Sequence, residues 1–553
     1  MFHTALLHVR RVALPAILLT VFLAGLPAQV REALEKDQRV LPEEGTGDAA
    51  AAERYVTWVR AAIEKDHWDL AEEALERAAD YAEVSSDLSY LLALARDHQE
   101  RPRRAVLEAL RNALAFNQWK QYSASEARLL LAETLIAIHS FEEALASLDP
   151  AGEREREISL RARAYRGLRD SRSFIQTITQ ALSRYPHSPE PVRILFTYAA
   201  DRIPAVGERE LIATCLRRLP SLLEVDPELA FLAVPFIRDT EEARRLVSAY
   251  RAAGGTNPAG LPAALNLGII DENQAMTELF REMVLDKNLL ETVWGLLRSG
   301  EGRKRFAENL SRFTGTITED IDGDGYNESR TGYREGTLSG YSYDADQDRL
   351  PELTVFFAAG LPVRAEQDAS PDRVHLEWEQ YPAVFRAELE GVEYFPQPAS
   401  FFFKPLQFRD ILGSSLLYPE RESITQISRR TLVSFALTIQ QPGRVIPGSV
   451  ERIEMHEGTP RRSREYLRGA LVADTEYRLG QPILQRIDMD LDGRLETIRR
   501  FNADGSPLSS ESDWDGDGIY EYGERYEGDL VIRSWDMDTD GAREYTETGV
   551  RNR

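Results

Sequence analysis

From about residue 50 to 312, apolar residues recur at three- and four-residue spacing, as in AERYVTWVRAAIEKDHWDLAEEALERAADYAE and EARLLLAETLIAIHSFEEALASL. That is the period of an amphipathic helix. The alanine that dominates these stretches is the best helix former and lets helices approach closely. At Phe313-Thr314-Gly315 the pattern stops. Beyond it VHLEWEQY, FRAELEGVEYF, TLVSFALTI and VERIEM alternate in hydropathy, as half-buried strands do. The expected fold is a multidomain α + β chain, an α-helical repeat array followed by an antiparallel β-meander. The expected boundaries are 1–30 (leader or anchor), 31–49 (linker), 50–312 (helical repeats), 313–365 and 481–553 (hairpin blocks), and 366–480 (β-rich, between the blocks).

Within the helical stretch a small–large–small stripe repeats. Ala71, Leu75 and Ala78 form one, Val106, Leu110 and Ala113 a second, and Phe174, Ile178 and Ala181 another, followed by Tyr185-Pro186. Ala113 lies 35 residues after Ala78. The stripe, the spacing and the trailing proline resemble the tetratricopeptide repeat of exported bacterial envelope proteins over about 50–200; from 200 to 312 the sequence is helical and repeat-like only. The resemblance implies a concave groove that holds a protein or peptide partner. His67, His98 and His139 fall one per helical hairpin and are expected to be surface or packing residues.

Five segments of the second half carry the chemistry. They read DIDGDGYNE from Asp320, DADQDRLPE from Asp344, DMDLDGRLE from Asp488, DWDGDGIYE from Asp513 and DMDTDGARE from Asp536. All are D-x-D-x-D-x-x-x-E. The candidate ligands are therefore Asp320, Asp322, Asp324 and Glu328; Asp344, Asp346, Asp348 and Glu352; Asp488, Asp490, Asp492 and Glu496; Asp513, Asp515, Asp517 and Glu521; and Asp536, Asp538, Asp540 and Glu544. Carboxylates at positions one, three, five and nine can converge on a hard cation such as Ca²⁺, which takes six to eight oxygens. Glycine at position six permits the sharp turn. It is present as Gly325, Gly493, Gly518 and Gly541, whereas Arg349 replaces it in the second loop, which is expected to bind worst. Without an ion the crowded carboxylates repel one another. The first half of each loop resembles the EF-hand loop, and the whole is similar to the aspartate-rich repeats of thrombospondin type 3. That similarity implies up to five calcium sites.

The loops belong to a larger unit. The starts Asp320 and Asp344 are 24 apart, and Asp488, Asp513 and Asp536 are 25 and 23 apart. Each unit reads loop, strand, aromatic–glycine turn, strand, loop, with Gly336, Gly360, Gly480, Gly505 and Gly528 at the turns. An antiparallel meander follows, with loops on one edge and these turns on the other. The aromatic run Phe401-Phe402-Phe403 is expected in the core, with a glycan-binding platform as the alternative.

The formal net charge of −24 argues against nucleic acid and anionic lipid as partners. The one cysteine, Cys215, sits on an apolar helix face and excludes an intrachain disulfide. His8, Arg10 and Arg11 precede an uncharged run from Val12 to Val30, the pattern of a secretory signal or a membrane anchor. There is no G-x-S-x-G elbow, no G-x-x-x-x-G-K loop and no H-E-x-x-H pair. The expectation is a non-enzymatic, exported protein of the periplasm or cell surface, a scaffold with a calcium-stabilised β region. An adhesin or carbohydrate-binding protein and an envelope polymer hydrolase are the alternatives.

Overall fold

The computed structural model describes residues 48–79, 81, 85–149, 152–200, 203–323, 325–368, 372–422 and 427–550. The basic-then-apolar segment 1–30 lies outside them. Among the described residues no helix is long and apolar enough to cross a membrane. Contacts divide the chain into two units, Met1–Val225 and Asp226–Arg553.

Among its described residues the first unit is helical. Helices Asp48–Glu64 and Trp68–Arg77 form a first pair, Ser86–His98 and Arg103–Phe116 a second, Ala124–Ala137 and Phe141–Ser147 a third, and Glu155–Gly167 and Ser171–Arg184 a fourth. Each pair turns through one left-handed residue: Asp66, Glu100, His139 and Arg169 have φ of 62°, 53°, 59° and 56°. All nine stripe residues are buried, none more than 3% exposed. The drift in the repeat between Ala113 and Ala181 has a local cause. The third pair's second helix has only seven residues, and Ala144 (0% exposed) takes the small position. Asp87, buried at 1%, accepts from the N–H groups of Lys120, Gln121 and Tyr122 and so pins the loop between the second and third pairs. His98 stacks on Trp68 at 3.9 Å and His139 on Phe141 at 5.6 Å, so both are packing residues.

Cys215 is fully buried in helix Val206–Leu222, and burial pushes its thiol up to about 12. The unfolded thiol ionises near 9, so the unfolded chain loses a proton that the folded chain keeps. This group's contribution to stability is therefore intact below about pH 9 and declines from there towards pH 12. An aromatic disulfide reagent at pH 9 should label the native chain far more slowly than the unfolded one. Equal rates would place Cys215 on the surface.

The second unit starts with helices, among them Thr240–Ala252, Lys287–Leu296 and Gly300–Leu310, and continues as strands. In chain order the strands are β1 Val284–Asp286, β2 Gly315–Glu319, β3 Ser329–Arg334, β4 Thr337–Tyr343, β5 Leu353–Ala358, β6 Leu361–Asp368 and β7 Arg373–Gln380. There follow β8 Ala383–Leu389, β9 Val392–Pro396, β10 Leu406–Asp410, β11 Leu417–Arg421, β12 Ala436–Pro442, β13 Val450–His456 and β14 Thr459–Leu467. The last are β15 Ala470–Arg478, β16 Gln481–Ile487, β17 Thr497–Phe501, β18 Pro507–Ser512, β19 Tyr522–Glu527, β20 Leu530–Trp535 and β21 Tyr545–Val550.

Nineteen of these form one sheet. Each strand pairs antiparallel with the next from β2 to β9 and from β12 to β21, and β9 pairs with β12. The β10–β11 hairpin stands outside the sheet. β1 pairs with β2 in parallel. The meander expected for the two hairpin blocks thus runs unbroken through the region between them. The aromatic before several of the glycine turns sits at a bulge, where the register shifts at Gly332/Tyr333, Phe356/Phe357, Glu476/Tyr477 and Arg500/Phe501. Bulges bend and twist a strand pair.

One expected strand is different. Of TLVSFALTI, the part up to Phe435 belongs to a helix, Arg429–Phe435, and only Ala436 onward is strand. Ser428 caps the helix by accepting from Thr431 N–H. Over so few residues the helical and strand periods cannot be told apart.

Candidate metal loops on one sheet edge

The five acidic segments are the β2–β3, β4–β5, β16–β17, β18–β19 and β20–β21 connections. Antiparallel neighbours alternate direction, and each of these connections is an even number of strands from the next. All five loops therefore lie on one edge of the sheet. Within a block, neighbouring loops are two strand spacings apart, about 10 Å.

The loops share one hydrogen-bond scheme. The position-one aspartate accepts from the N–H of position six: Gly325, Arg349, Gly493, Gly518 and Gly541 donate to Asp320, Asp344, Asp488, Asp513 and Asp536 at 2.8–3.1 Å. The position-nine glutamate accepts from the N–H of position two. Ile321, Ala345, Met489, Trp514 and Met537 donate to Glu328, Glu352, Glu496, Glu521 and Glu544 at 2.6–2.7 Å. Position six has positive φ in every loop, 102°, 69°, 97°, 94° and 89° in chain order. Arg349 thus adopts the glycine conformation at a cost its side chain makes unavoidable. Position four is left-handed as well, as Gly323, Gln347, Leu491, Gly516 and Thr539.

In four of the five loops one buried carboxylate oxygen is left outside this scheme. Among the described residues Asp344 Oδ1, Glu496 Oε2, Glu521 Oε1 and Asp536 Oδ1 are buried with no hydrogen-bond donor. Asp536 and Glu521 are only 3% and 9% exposed. A buried carboxylate oxygen without a donor is costly unless a cation meets it. Oxygens of Asp488, Asp490, Asp492 and Glu496 lie within 4.8 Å of one another. The same is true of Asp513, Asp515, Asp517 and Glu521, and of Asp536, Asp538, Asp540 and Glu544. Asp320, Asp322 and Glu328 converge likewise, and Asp324 lies outside the described residues. In the second loop Asp344, Asp346 and Asp348 converge and Glu352 is not among them. These all-oxygen clusters could hold a metal ion.

Electrostatics point the same way. Burial, reinforced by Asp348, Glu352 and Asp346, pushes the Asp344 carboxyl up to about 6. Burial also raises Glu328, with Asp322 and Asp320 adding to it, and raises Asp348. These groups resist ionisation unless positive charge is nearby.

Two further side-chain contacts shape the loops. Arg494 donates to Asp492 at 2.9 Å and holds its carboxyl below the usual range, so the Asp488 loop carries its own exposed counter-charge. Gln347 donates to the buried Glu328 at 2.8 Å and ties the second loop to the first. Neighbouring loops are also joined through the backbone: the amides of Asp344, Asp513 and Asp536 donate to the carbonyls of Glu328, Glu496 and Glu521.

The aromatic run of the middle region is packed, as expected. Phe401 and Phe403 are buried, stacking on Phe435 at 5.0 Å and on Trp378 at 6.3 Å, while Phe402 alone faces out.

No known protein-family profile matches the chain. A Treponema pallidum (strain Nichols) protein described only as uncharacterized is 22% identical over 592 residues, covering 84% of this chain and 75% of the relative. That coverage exceeds either half of the chain, so the alignment runs across both the helical and the β regions. The solved structure of Pseudomonas aeruginosa pilF aligns with 43% of this chain and 92% of its own, at 15% identity and a TM-score of 0.26. A superposition that loose carries no argument about this chain.

Proposed function

We propose that the chain is an exported, non-enzymatic scaffold of the cell envelope whose helical array engages a protein or peptide and whose long sheet is rigidified by calcium. The observation that carries the calcium half is the buried carboxylate oxygen without a donor in four of the five loops, each set in an acidic cluster on one edge. Calcium suits these loops better than magnesium. It accepts irregular shells of six to eight oxygens, whereas magnesium demands a near-ideal octahedron and gives up its water reluctantly. Support for the partner half is the paired-helix architecture, whose stacked hairpins present a continuous surface of the kind that binds peptides. Export rests on the basic and apolar N-terminal segment. Calcium of about millimolar concentration is an extracellular condition, and affinities of about 10⁻⁴–10⁻³ M are usual for such modules.

Isothermal titration of the full chain is the test. Calcium should give saturable heat at several sites, with magnesium far weaker. The Asp344 loop, lacking both the position-six glycine and a convergent Glu352, should be the first to drop out. No heat at millimolar calcium would end the calcium half. For the scaffold half, capture from envelope extracts should recover a defined partner with and without chelator, and residues 48–225 should compete for it. Failure to compete would end that half.

A further inference from the structure

The cleft between helix Gly300–Leu310 and the tip of the β10–β11 hairpin has a charge opposite to that of the chain. It is an open depression of about 510 Å³, and Trp294, Arg303, Lys304, Glu308, Arg312 and Ser415 are among its lining residues. Three cations thus meet one carboxylate, on a chain whose net charge is −24.

The cations are partly preorganised. Arg303 Nε donates to the Leu297 carbonyl at 3.1 Å, and the guanidinium lies 5.7 Å from the Trp294 ring centroid. Both contacts fix the plane of the guanidinium while leaving its terminal N–H groups for a ligand. Among the described residues neither Arg303 nor Arg312 is held in a salt bridge, though Glu272 lies near enough to feel Arg303. Lys304 has only a long, exposed contact with Glu308 at 3.9 Å.

The opposite wall is rigid. The hairpin tip turns through Leu412 and Gly413, at φ of 50° and 66°. A Cβ on Gly413 would come within 3.3 Å of Trp294 Cη2, so the tip is seated on the tryptophan. Ser415 N–H donates to Ser311 Oγ at 3.3 Å, which docks the hairpin on the helix end. The Ser415 hydroxyl donates to Ser311 Oγ at 3.2 Å, whose own proton goes to the Ala307 carbonyl, so Ser415 reaches an incoming oxygen by exchanging that bond.

We propose that this cleft is a binding site for a tetrahedral oxyanion, phosphate or the phosphate group of a monoester. Arg303 and Arg312 take its oxygens, Lys304 adds charge, and the Ser415 hydroxyl donates. Two guanidinium forks, an ammonium and a hydroxyl offer more donors than a carboxylate can use, and they match the several oxygens of a phosphate. The site is independent of the calcium loops.

The experiment titrates the full chain in calcium-free buffer, at constant ionic strength, with inorganic phosphate, with phenyl phosphate and with acetate. Heat and tryptophan fluorescence are read, with Trp294→Phe identifying the Trp294 contribution. Saturable one-site binding of phosphate is expected, with acetate weaker. Arg303→Gln and Arg312→Gln should each weaken phosphate by about tenfold or more, the loss of a charge-assisted hydrogen bond. Arg217→Gln, an exposed arginine on helix Val206–Leu222, should bind as the parent does. Arg312 is itself exposed, so its replacement leaves the core intact, and far-UV circular dichroism verifies this. Tighter binding of phenyl phosphate than of inorganic phosphate assigns the site to a monoester, and equal binding to the free anion. The proposal is overturned if phosphate does not saturate, if acetate binds as well, or if the Arg303 and Arg312 variants bind like the parent.

Discussion

Calcium at millimolar concentration is expected to raise the melting temperature of the sheet by several degrees, and a chelator to reverse the rise. The physical source is differential binding. The folded loops hold their carboxylates within 4.8 Å of one another, and the unfolded chain does not. At calcium about 100 times the dissociation constant, one independent site adds about 2.7 kcal/mol to folding. Loops 513 and 536 share the strand pair β19–β20 and are linked from Glu521 carbonyl to Asp536 amide, so their contributions will not simply add.

The Asp320 and Asp513 loops should contribute most. Both have glycine at the two left-handed positions, Gly323 and Gly325 in one and Gly516 and Gly518 in the other, and the hydrogen bond that Arg494 gives the Asp513 loop goes to the Asp515 carbonyl, at 3.3 Å, not to a carboxylate. Asp515→Ala with Asp517→Ala should remove about one bound ion and most of one site's stabilisation. The same pair of changes at Asp346 and Asp348 should remove less. Calorimetric melting of both variants, with and without calcium, decides it. A melting temperature indifferent to calcium in the parent would reduce the loops to acidic turns, and equal losses in the two variants would refute the ranking.

Much of this geometry was legible in the sequence because it rests on rules that act over a few residues. Three aspartates on alternate positions followed by a glycine can curl in only a few ways. Nine stripe residues at helical spacing can be buried only on one face, and all nine are. What was not legible depends on neighbours distant in sequence or on conformations that composition hides. β1 has three residues, too few to show a period, and its partner β2 is reached only across two helices. The left-handed position four is announced by glycine at Gly323 and Gly516 but concealed by Gln347, Leu491 and Thr539. The pairing of Arg494 with Asp492 lies within one loop and could have been weighed, since the two are separated by a single residue. The Gln347–Glu328 contact could not have been, because it exists only when β3 and β4 bring two loops side by side. The oxyanion cleft joins residues about a hundred positions apart and left no motif.

Phe174→Ala should be among the most damaging single changes in the helical unit. The ring is fully buried, packs 4.2 Å from the Tyr198 ring, and begins the stripe that continues through Ile178 and Ala181. Truncating a buried phenylalanine removes its transfer free energy and leaves a cavity, together about 3–5 kcal/mol. Arg172→Ala, two residues away and exposed, should change stability by no more than about 0.5 kcal/mol. Denaturant unfolding followed by far-UV circular dichroism measures both. Calcium titration heats should be the same in the two variants, because the loops belong to the other unit. A cost for Phe174→Ala as small as that for Arg172→Ala would mean that the stripe is not the core of the array. A change in calcium heat would mean that the two units do not fold separately, and the scaffold would then have to be treated as one cooperative body, with its partner site and its metal edge linked.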